Sequence, residues 1–453
     1  KLLFELNKKQ FLATKLFLEH SISCSQNLIY LGGDGGTGIT RVILAIKFYF
    51  WFNNENTNIK IAAYTGTAAN LIFGNTIHGT FKFQINHKER NYSNVTFNDI
   101  IDWEKVTHMI IDEVSMVSCK MLTDIDRSLR ELKRSKQLFG GIHILFSADF
   151  FQLPPVASVP LYCNYDLENF NDNNINQAQE NLYGRWLWLQ INKVIFLDLQ
   201  MRQKNDIDFA NFLRRVKYGD CTKDDIKKIK EKIINKKTKI EYPIPTIVSS
   251  NKLKLQIINK TKQKLEIEMN TKIISIQAID FIRNQNNYEK TNSQIKNLIN
   301  VLDDNSKTKE PICILASLTD FLTEFNFTDL PNNIFPIFPI TKYFKLNLLT
   351  KTLNLKRKQF PLIPNFSSTC YRIQGKTMDK ICIDLSNTEN KNIDCSFLYV
   401  SLSRLKSWND LYVLREFDSE IFNKKPSQDL LKEIDRLKSI EKKTLLELEM
   451  KLV

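Results

Sequence analysis

The sequence predicts an α/β protein: parallel sheets flanked by helices, with one small and partly β insertion. Three observations carry that prediction. Short apolar runs (Leu28–Leu31, Ile59–Tyr64, His108–Asp112, Ile142–Ser147 and Lys193–Leu197) alternate with helical stretches up to residue 200. Five of the thirteen glycines fall between Gly32 and Gly38, wedged between the first of those runs and a predicted helix Arg41–Phe52. After Phe360 the same alternation returns, with predicted strands at Lys380–Asp384 and Leu411–Leu414.

A chain of 453 residues is too long for one compact core, and the text changes character along it. Residues 1–200 form the first predicted domain. Residues 201–255 stay α/β, with a helix through Asp206–Tyr218 and a strand at Thr246–Ser249, and join residues 346–426 in a second domain. Between them, residues 256–345 are rich in Asn, Lys and Ile, then in Pro (Pro331, Pro336, Pro339), and read as the insertion. Residues 427–453 read as a C-terminal amphipathic helix, with Leu430, Ile434, Leu437 and Leu448 near one face for packing. Asn164–Asn181 reads as an exposed loop.

A net charge of +14 suits a polyanionic partner. The eight cysteines form no C-x-x-C pair, which argues against a metal site or a disulfide framework and for an intracellular compartment. No apolar run approaches the ~20 residues of a membrane span, so no membrane partner is expected.

The glycine run supplies the first chemistry. Gly33-Asp34-Gly35-Gly36-Thr37-Gly38-Ile39-Thr40 follows the P-loop pattern G-x-x-x-x-G-K-[ST], except at position 39. Glycines at those places let backbone N–H groups turn toward a polyphosphate, aided by the N-terminus of the next helix. This loop alone leaves kinases, GTPases, transporters and helicases open. His108–Asp112 then ends in adjacent carboxylates, Asp112 and Glu113. Asp112 with Thr40 suits a Mg²⁺ ion, and Glu113 suits polarising the attacking water. A third segment, Ser147-Ala148-Asp149-Phe150-Phe151-Gln152-Leu153-Pro154-Pro155-Val156, also follows an apolar strand.

Together with Thr65-Gly66-Thr67-Ala68-Ala69, Gly74-Asn75-Thr76-Ile77-His78 and Phe139-Gly140-Gly141, these segments resemble the petite-integration-frequency (PIF) family of superfamily 1B DNA helicases. Gln200-Met201-Arg202-Gln203, Thr369 to Thr377 and Tyr399 to Arg404 are similar to later motifs of that family, and Leu6 to Gln10 to its first segment. Gly184–Gln190 and Asp329–Pro339 look like versions found in Helitron transposons and fungal relatives.

The resemblance implies two RecA-like P-loop domains that close on ATP and Mg²⁺ and move 5′ to 3′ along single-stranded DNA. It implies that Gln10 reads the adenine, that Gln152 senses the γ-phosphate, and that Arg202 and Arg404 act as arginine fingers. Gly375 would lie at the nucleotide. Thr65, Thr67, His78, Thr369 and Gln374 would contact the strand without reading sequence. For His78 the alternative is a packed core histidine. Tyr371, Phe366 and Phe81 suit base stacking and core packing equally. The partners implied are single-stranded DNA and DNA forks, met by a monomer in the nucleus or the mitochondrion, in DNA repair, recombination or telomere maintenance.

Two positions depart from the family. Ala148 stands where the family has glycine, a mild change unless φ there is positive. Ile39 replaces the P-loop lysine. Removing one charge ~4 Å from a phosphate forfeits roughly 4 kcal/mol at an effective dielectric of ~20. A rate loss on the order of 10²–10³ follows. Arg41 lies past Thr40 and is not expected to compensate. Two functions of different class therefore stand: an ATP-driven DNA helicase, and a catalytically weakened DNA-binding relic of a mobile element.

Overall fold

The computed structural model describes residues 4–19, 26–83, 95–164, 175–235, 238, 244–268, 270, 279–284, 287–290, 313–317, 334–347, 352–362, 364–386 and 393–450. The chain divides into two compact units, Lys1–Ile257 with Phe366–Val453, and Ile258–Asn365.

The first unit holds two parallel sheets. The larger has six strands: β1 (Leu28–Gly33), β2 (Ile59–Ala63), β3 (Asn75–Thr76), β4 (His108–Asp112), β5 (His143–Ala148) and β6 (Lys193–Leu197). They lie in the order β3-β2-β4-β5-β1-β6. β1, β4 and β5 sit in the interior of this order, and β1 and β4 are buried throughout. Their sequences are correspondingly near-continuous apolar runs rather than alternating ones. Every pairing is parallel, with Asp112 opposite Ser147 and Gly32 opposite Ala148. The C-terminal ends of β1, β4 and β5 therefore open onto one edge, where open α/β sheets place their ligands.

The second sheet comprises β7 (Thr246–Val248), then β14 (Ser367–Thr369), β15 (Ile381–Ile383) and β16 (Leu411–Val413), in the order β14-β7-β15-β16. All three of its pairings are parallel as well. Two parallel sheets flanked by helices give the expected pair of RecA-like domains.

The unit Ile258–Asn365 is antiparallel. β8 (Ile279–Asn284), β9 (Asn287–Lys290), β12 (Ile340–Asn347) and β13 (Thr352–Gln359) form a sheet ordered β12-β13-β8-β9, and β10 (Ile314–Ser317) pairs with β11 (Ile334–Ile337). The unit runs past the expected boundary at 345, because β13 pairs with both β12 and β8 and cannot leave that sheet. The helix Asn251–Glu268 likewise crosses the expected boundary at 255. Of the segment Asp329–Pro339, residues 329–333 lie outside the described residues.

The predicted loop Asn164–Asn181 is corrected at its C-terminal end. Residues 165–174 lie outside the described residues, and the helix Ile175–Leu189 begins at Ile175. Its Gly184 sits so close to the helix Cys119–Leu132 that an added Cβ would lie 1.9 Å from the Cys119 carbonyl oxygen. Only glycine permits that approach. Trp188, fully buried, donates from Nε1 to Glu433 at 2.8 Å, and Arg185 donates to the same carboxylate. The helix Gln428–Met450 is thereby tied to the larger sheet, with Leu437 and Leu448 buried and Thr444 Oγ1 accepting from the Val194 amide.

Candidate active site

The P-loop leaves β1 at Gly33 and enters the helix Ile39–Phe52 through Gly36 and Gly38, whose φ values are +101° and +90°. Left-handed backbone at both places is what the glycines supply. No side chain caps the helix at Gly38, so its first N–H groups stay available to an anion. Thr37 folds the loop back by donating from Oγ1 and from its amide to the Asp34 carbonyl.

Gln10 is brought to this loop. It is buried, and its Nε2 donates to the Thr37 carbonyl at 3.0 Å while its Oε1 accepts from the Asn7 amide. One half of its amide thus holds the loop while the other closes the capping box at the start of its own helix. Ile39 is partly buried and packs against the apolar cluster that includes Val42, Ile43 and Ile46. Arg41 reaches the Phe4 carbonyl and Glu5, so it supplies no charge at position 39. Ala148 does not have positive φ and accommodates its side chain without backbone strain.

At the end of β4, Asp112 is buried and accepts from Ser147 Oγ at 2.7 Å. Burial raises its carboxyl above the usual range, against the pull of that hydrogen bond and of the Glu113 amide. Glu113 follows at φ +57°, a left-handed conformation uncommon for a residue with a side chain. Loss of water and the neighbouring Asp112 push Glu113 up to about 7, with Gln374 and Arg404 opposing. A carboxylate poised there can accept a proton near neutral pH.

Elements following the larger sheet close over the loop. The Met201 amide donates to the Gly36 carbonyl and Gln200 Nε2 to the Gly35 carbonyl, both at 3.0 Å. Arg202 donates to the Ser403 carbonyl and Thr377 Oγ1. Arg404, fully buried on the segment after the helix Cys395–Leu402, donates to the Val400 carbonyl and Ser403 Oγ. Gly35 marks the convergence: a Cβ there would lie 3.1 Å from the Arg404 guanidinium, and 3.5 Å from both Gln152 Nε2 and Ser403 Oγ.

Among the described residues neither guanidinium has a carboxylate partner. Burial, then proximity to Arg404, lowers Arg202 to about 9, and burial lowers Arg404 as well. Gln152 is buried with its Oε1 lacking any hydrogen-bond partner. Paired cations beside open backbone N–H groups are donors suited to a polyphosphate, and the orphaned Gln152 Oε1 is an acceptor suited to a water held among them. Thr40 and Asp112 are a donor set that suits Mg²⁺, which binds through one or two protein oxygens and otherwise keeps water and phosphate. Among the described residues no cluster of three or more His, Cys, Asp or Glu side chains is arranged to hold a metal alone.

The residues expected at DNA divide into two groups. Thr67 lines an open cavity of about 940 Å³ together with Asn70, Asn75, Thr76, Gly375 and Lys376. Thr65 caps the helix Gly66–Leu71 through its Oγ1. His78 is partly exposed, with Tyr64 and Phe83 edge-on to its ring. Thr369 ends β14 without any capping bond from its side chain. Gln374 differs: it is buried, and its Nε2 donates to Glu113 instead of facing outward. Gly375, at φ +79°, lies beside the same carboxylate.

Sequence reasoning gave no role to Asp149, Tyr399 or Lys217. Tyr399 donates to Asp149 Oδ2 at 2.8 Å and accepts from the Gly35 amide, and Lys217 pairs with Asp34. Lys217 lies four residues after Leu213 on the buried helix face, but that spacing by itself does not tell a buried lysine from an exposed one.

Residues 5–227 match the family model described as "PIF1-like helicase". This match, over just under half of the chain, places that stretch in the PIF1-like helicase family. The chain is 26% identical over 243 residues to the ATP-dependent DNA helicase PIF1 of Saccharomyces cerevisiae, covering 52% of this chain and 26% of that protein. It is 25% identical over 448 residues to the ATP-dependent DNA helicase PIF6 of Trypanosoma brucei brucei, covering 91% of this chain and 53% of that one. The chain thus spans between about a quarter and about a half of these curated relatives. The crystal structure of a Pif1 helicase from Bacteroides in complex with ADP-AlF3 and ssDNA superposes with a TM-score of 0.63 at 21% identity, covering 94% of this chain and 97% of that one. That likeness is one of fold. Among the described residues no helix is long and apolar enough to cross a membrane.

Proposed function

We propose that this chain is the motor of an ATP-driven DNA helicase that moves 5′ to 3′ on single-stranded DNA, with turnover slowed by Ile39. The observation that carries this reading is the convergence on Gly35 of Arg404 and Gln152, one from each RecA-like half. A nucleotide bound there would touch both halves at once, so its hydrolysis can drive their separation.

Glu113 would accept a proton from the attacking water, as its raised pKa suits. Gln152 would orient that water by accepting from it at its orphaned Oε1, leaving Nε2 as the half that can donate to the terminal phosphate. Arg202 and Arg404 would neutralise charge developing on the transferred phosphoryl group, and their mutual repulsion is relieved by an anion between them. Thr40 and Asp112 would hold the Mg²⁺ of the metal–nucleotide complex, which supplies further charge neutralisation. The cavity lined by Thr67 and Gly375 offers a strand a path over the same edge, with His78 and Thr369 as backbone contacts. The family's relatives include named DNA helicases, which supports DNA as the track.

One observation favours the second reading, a DNA-binding relic. Ile39 packs, partly buried, against an apolar cluster and Arg41 is engaged elsewhere, so the loop has lost its lysine without an adjacent replacement. Strand displacement by Ile39→Lys on tailed duplexes tests the proposal. Unwinding of 5′-tailed and not 3′-tailed duplex is expected; the opposite preference, or none, contradicts it.

A further inference from the structure

Position 34 puts a carboxylate into a loop built to receive phosphates, and position 39 removes the loop's own cation. The loop would repel a polyphosphate unless positive charge came from elsewhere. Lys217, near the end of the helix Ile207–Tyr218, has only 8% of its surface exposed, and its Nζ pairs with Asp34 Oδ1. The same Nζ lies 3.9 Å from Asp149 Oδ1 and 4.2 Å from the centre of the Phe151 ring. Asp149 accepts from Tyr399, and the Tyr399 hydroxyl accepts from the Gly35 amide at 3.2 Å. One ammonium therefore grips the loop twice, directly at Asp34 and through Asp149 and Tyr399 at Gly35. Burial opposes its charge, but the Asp149 and Asp34 carboxylates hold it above the ordinary lysine range.

We infer that Lys217 is a nucleotide-positioning residue, the cation that neutralises Asp34 and fixes the Asp34–Gly35 turn so that the loop can accept phosphates despite Ile39. This rests on the nucleotide-site reading above. Lys217 acts through the loop and carries no step of the reaction.

Fluorescent (mant) ADP with Mg²⁺, titrated into the full chain, tests the inference in a double-substitution cycle. Lys217→Met is expected to weaken binding by roughly tenfold or more, because it strands two carboxylates beside the phosphates. Asp34→Asn alone is expected to tighten binding by about threefold or more, since it removes one carboxylate and frees the ammonium. Lys217→Met with Asp34→Asn should recover most of the loss; a purely structural role for Lys217 would give no such rescue. Unchanged binding in Lys217→Met, or a double variant no better than it, overturns the inference while leaving the nucleotide site standing. Should Lys217→Met fail to fold, Asp34→Asn decides alone, and unchanged or weaker binding there overturns it. Absence of binding by the unsubstituted chain overturns the nucleotide-site reading and this inference together.

Discussion

On the P-loop face of the site, Ile39 packs against an apolar cluster and Asp34 adds a negative charge. On the opposing face stand Arg202, Arg404 and Lys217, all buried to a large extent and all beside the loop. The cations that a phosphate needs are therefore carried across the cleft rather than within the loop. Backbone geometry and electrostatics have separated: the first half keeps the cradle and the carboxylates, and the elements that follow it keep the charge. A nucleotide should consequently depend on closure of the cleft more than it would with a lysine at 39.

The sharpest way to break this comparison is to remove charge from the far face. In an Ile39→Lys background, Arg404→Ala is expected to lower DNA-stimulated kcat on the order of 10³ or more, with DNA affinity retained. A loss below tenfold would return the decisive charge to the loop. Glu113→Gln in the same background should cost on the order of 10²–10⁴ in kcat, measured at saturating ATP.

The raised carboxyl of Glu113 also sets a pH profile. The base works when deprotonated, so kcat should rise with pH through about 7 and then level off. Gln374 donates to the charged form, so Gln374→Ala should move the midpoint upward. A midpoint that stays put, or falls, would show that this hydrogen bond does not reach the reacting state. The smallest effect on activity belongs to the scaffold. Glu433→Ala strands Arg185, Arg436 and the Trp188 indole, and should cost about 3 kcal/mol of stability in thermal or urea unfolding. Nucleotide affinity should be unchanged in the surviving folded protein.

Much of the fold was legible because buried parallel strands are written as plain apolar runs. His108–Asp112 and Lys193–Leu197 appear with the very bounds the sequence suggests. β14 was hidden because Ser367-Ser368-Thr369 is polar, and its burial is made possible by Ser367 donating to the Thr246 carbonyl. The helix Ile175–Leu189 was masked by its asparagines, although Leu187 and Trp188 anchor it in the core. At the site, residues in strand-end motifs were readable, since loop chemistry follows local order. Lys217 was not, because a lysine on an amphipathic helix ordinarily marks the wet face; only the tertiary placement of two carboxylates makes its burial tolerable. Gln374 was legible as a motif residue, but its orientation toward Glu113 depends on elements far apart in sequence.

The central claim is that everything needed for turnover is present except the charge at position 39. Steady-state ATPase with saturating single-stranded DNA, run side by side on the unsubstituted chain and Ile39→Lys, addresses it most directly. The account predicts a rate near background for the former and a rise of roughly tenfold or more for the latter. Robust turnover without the substitution, or no gain with it, would contradict the account.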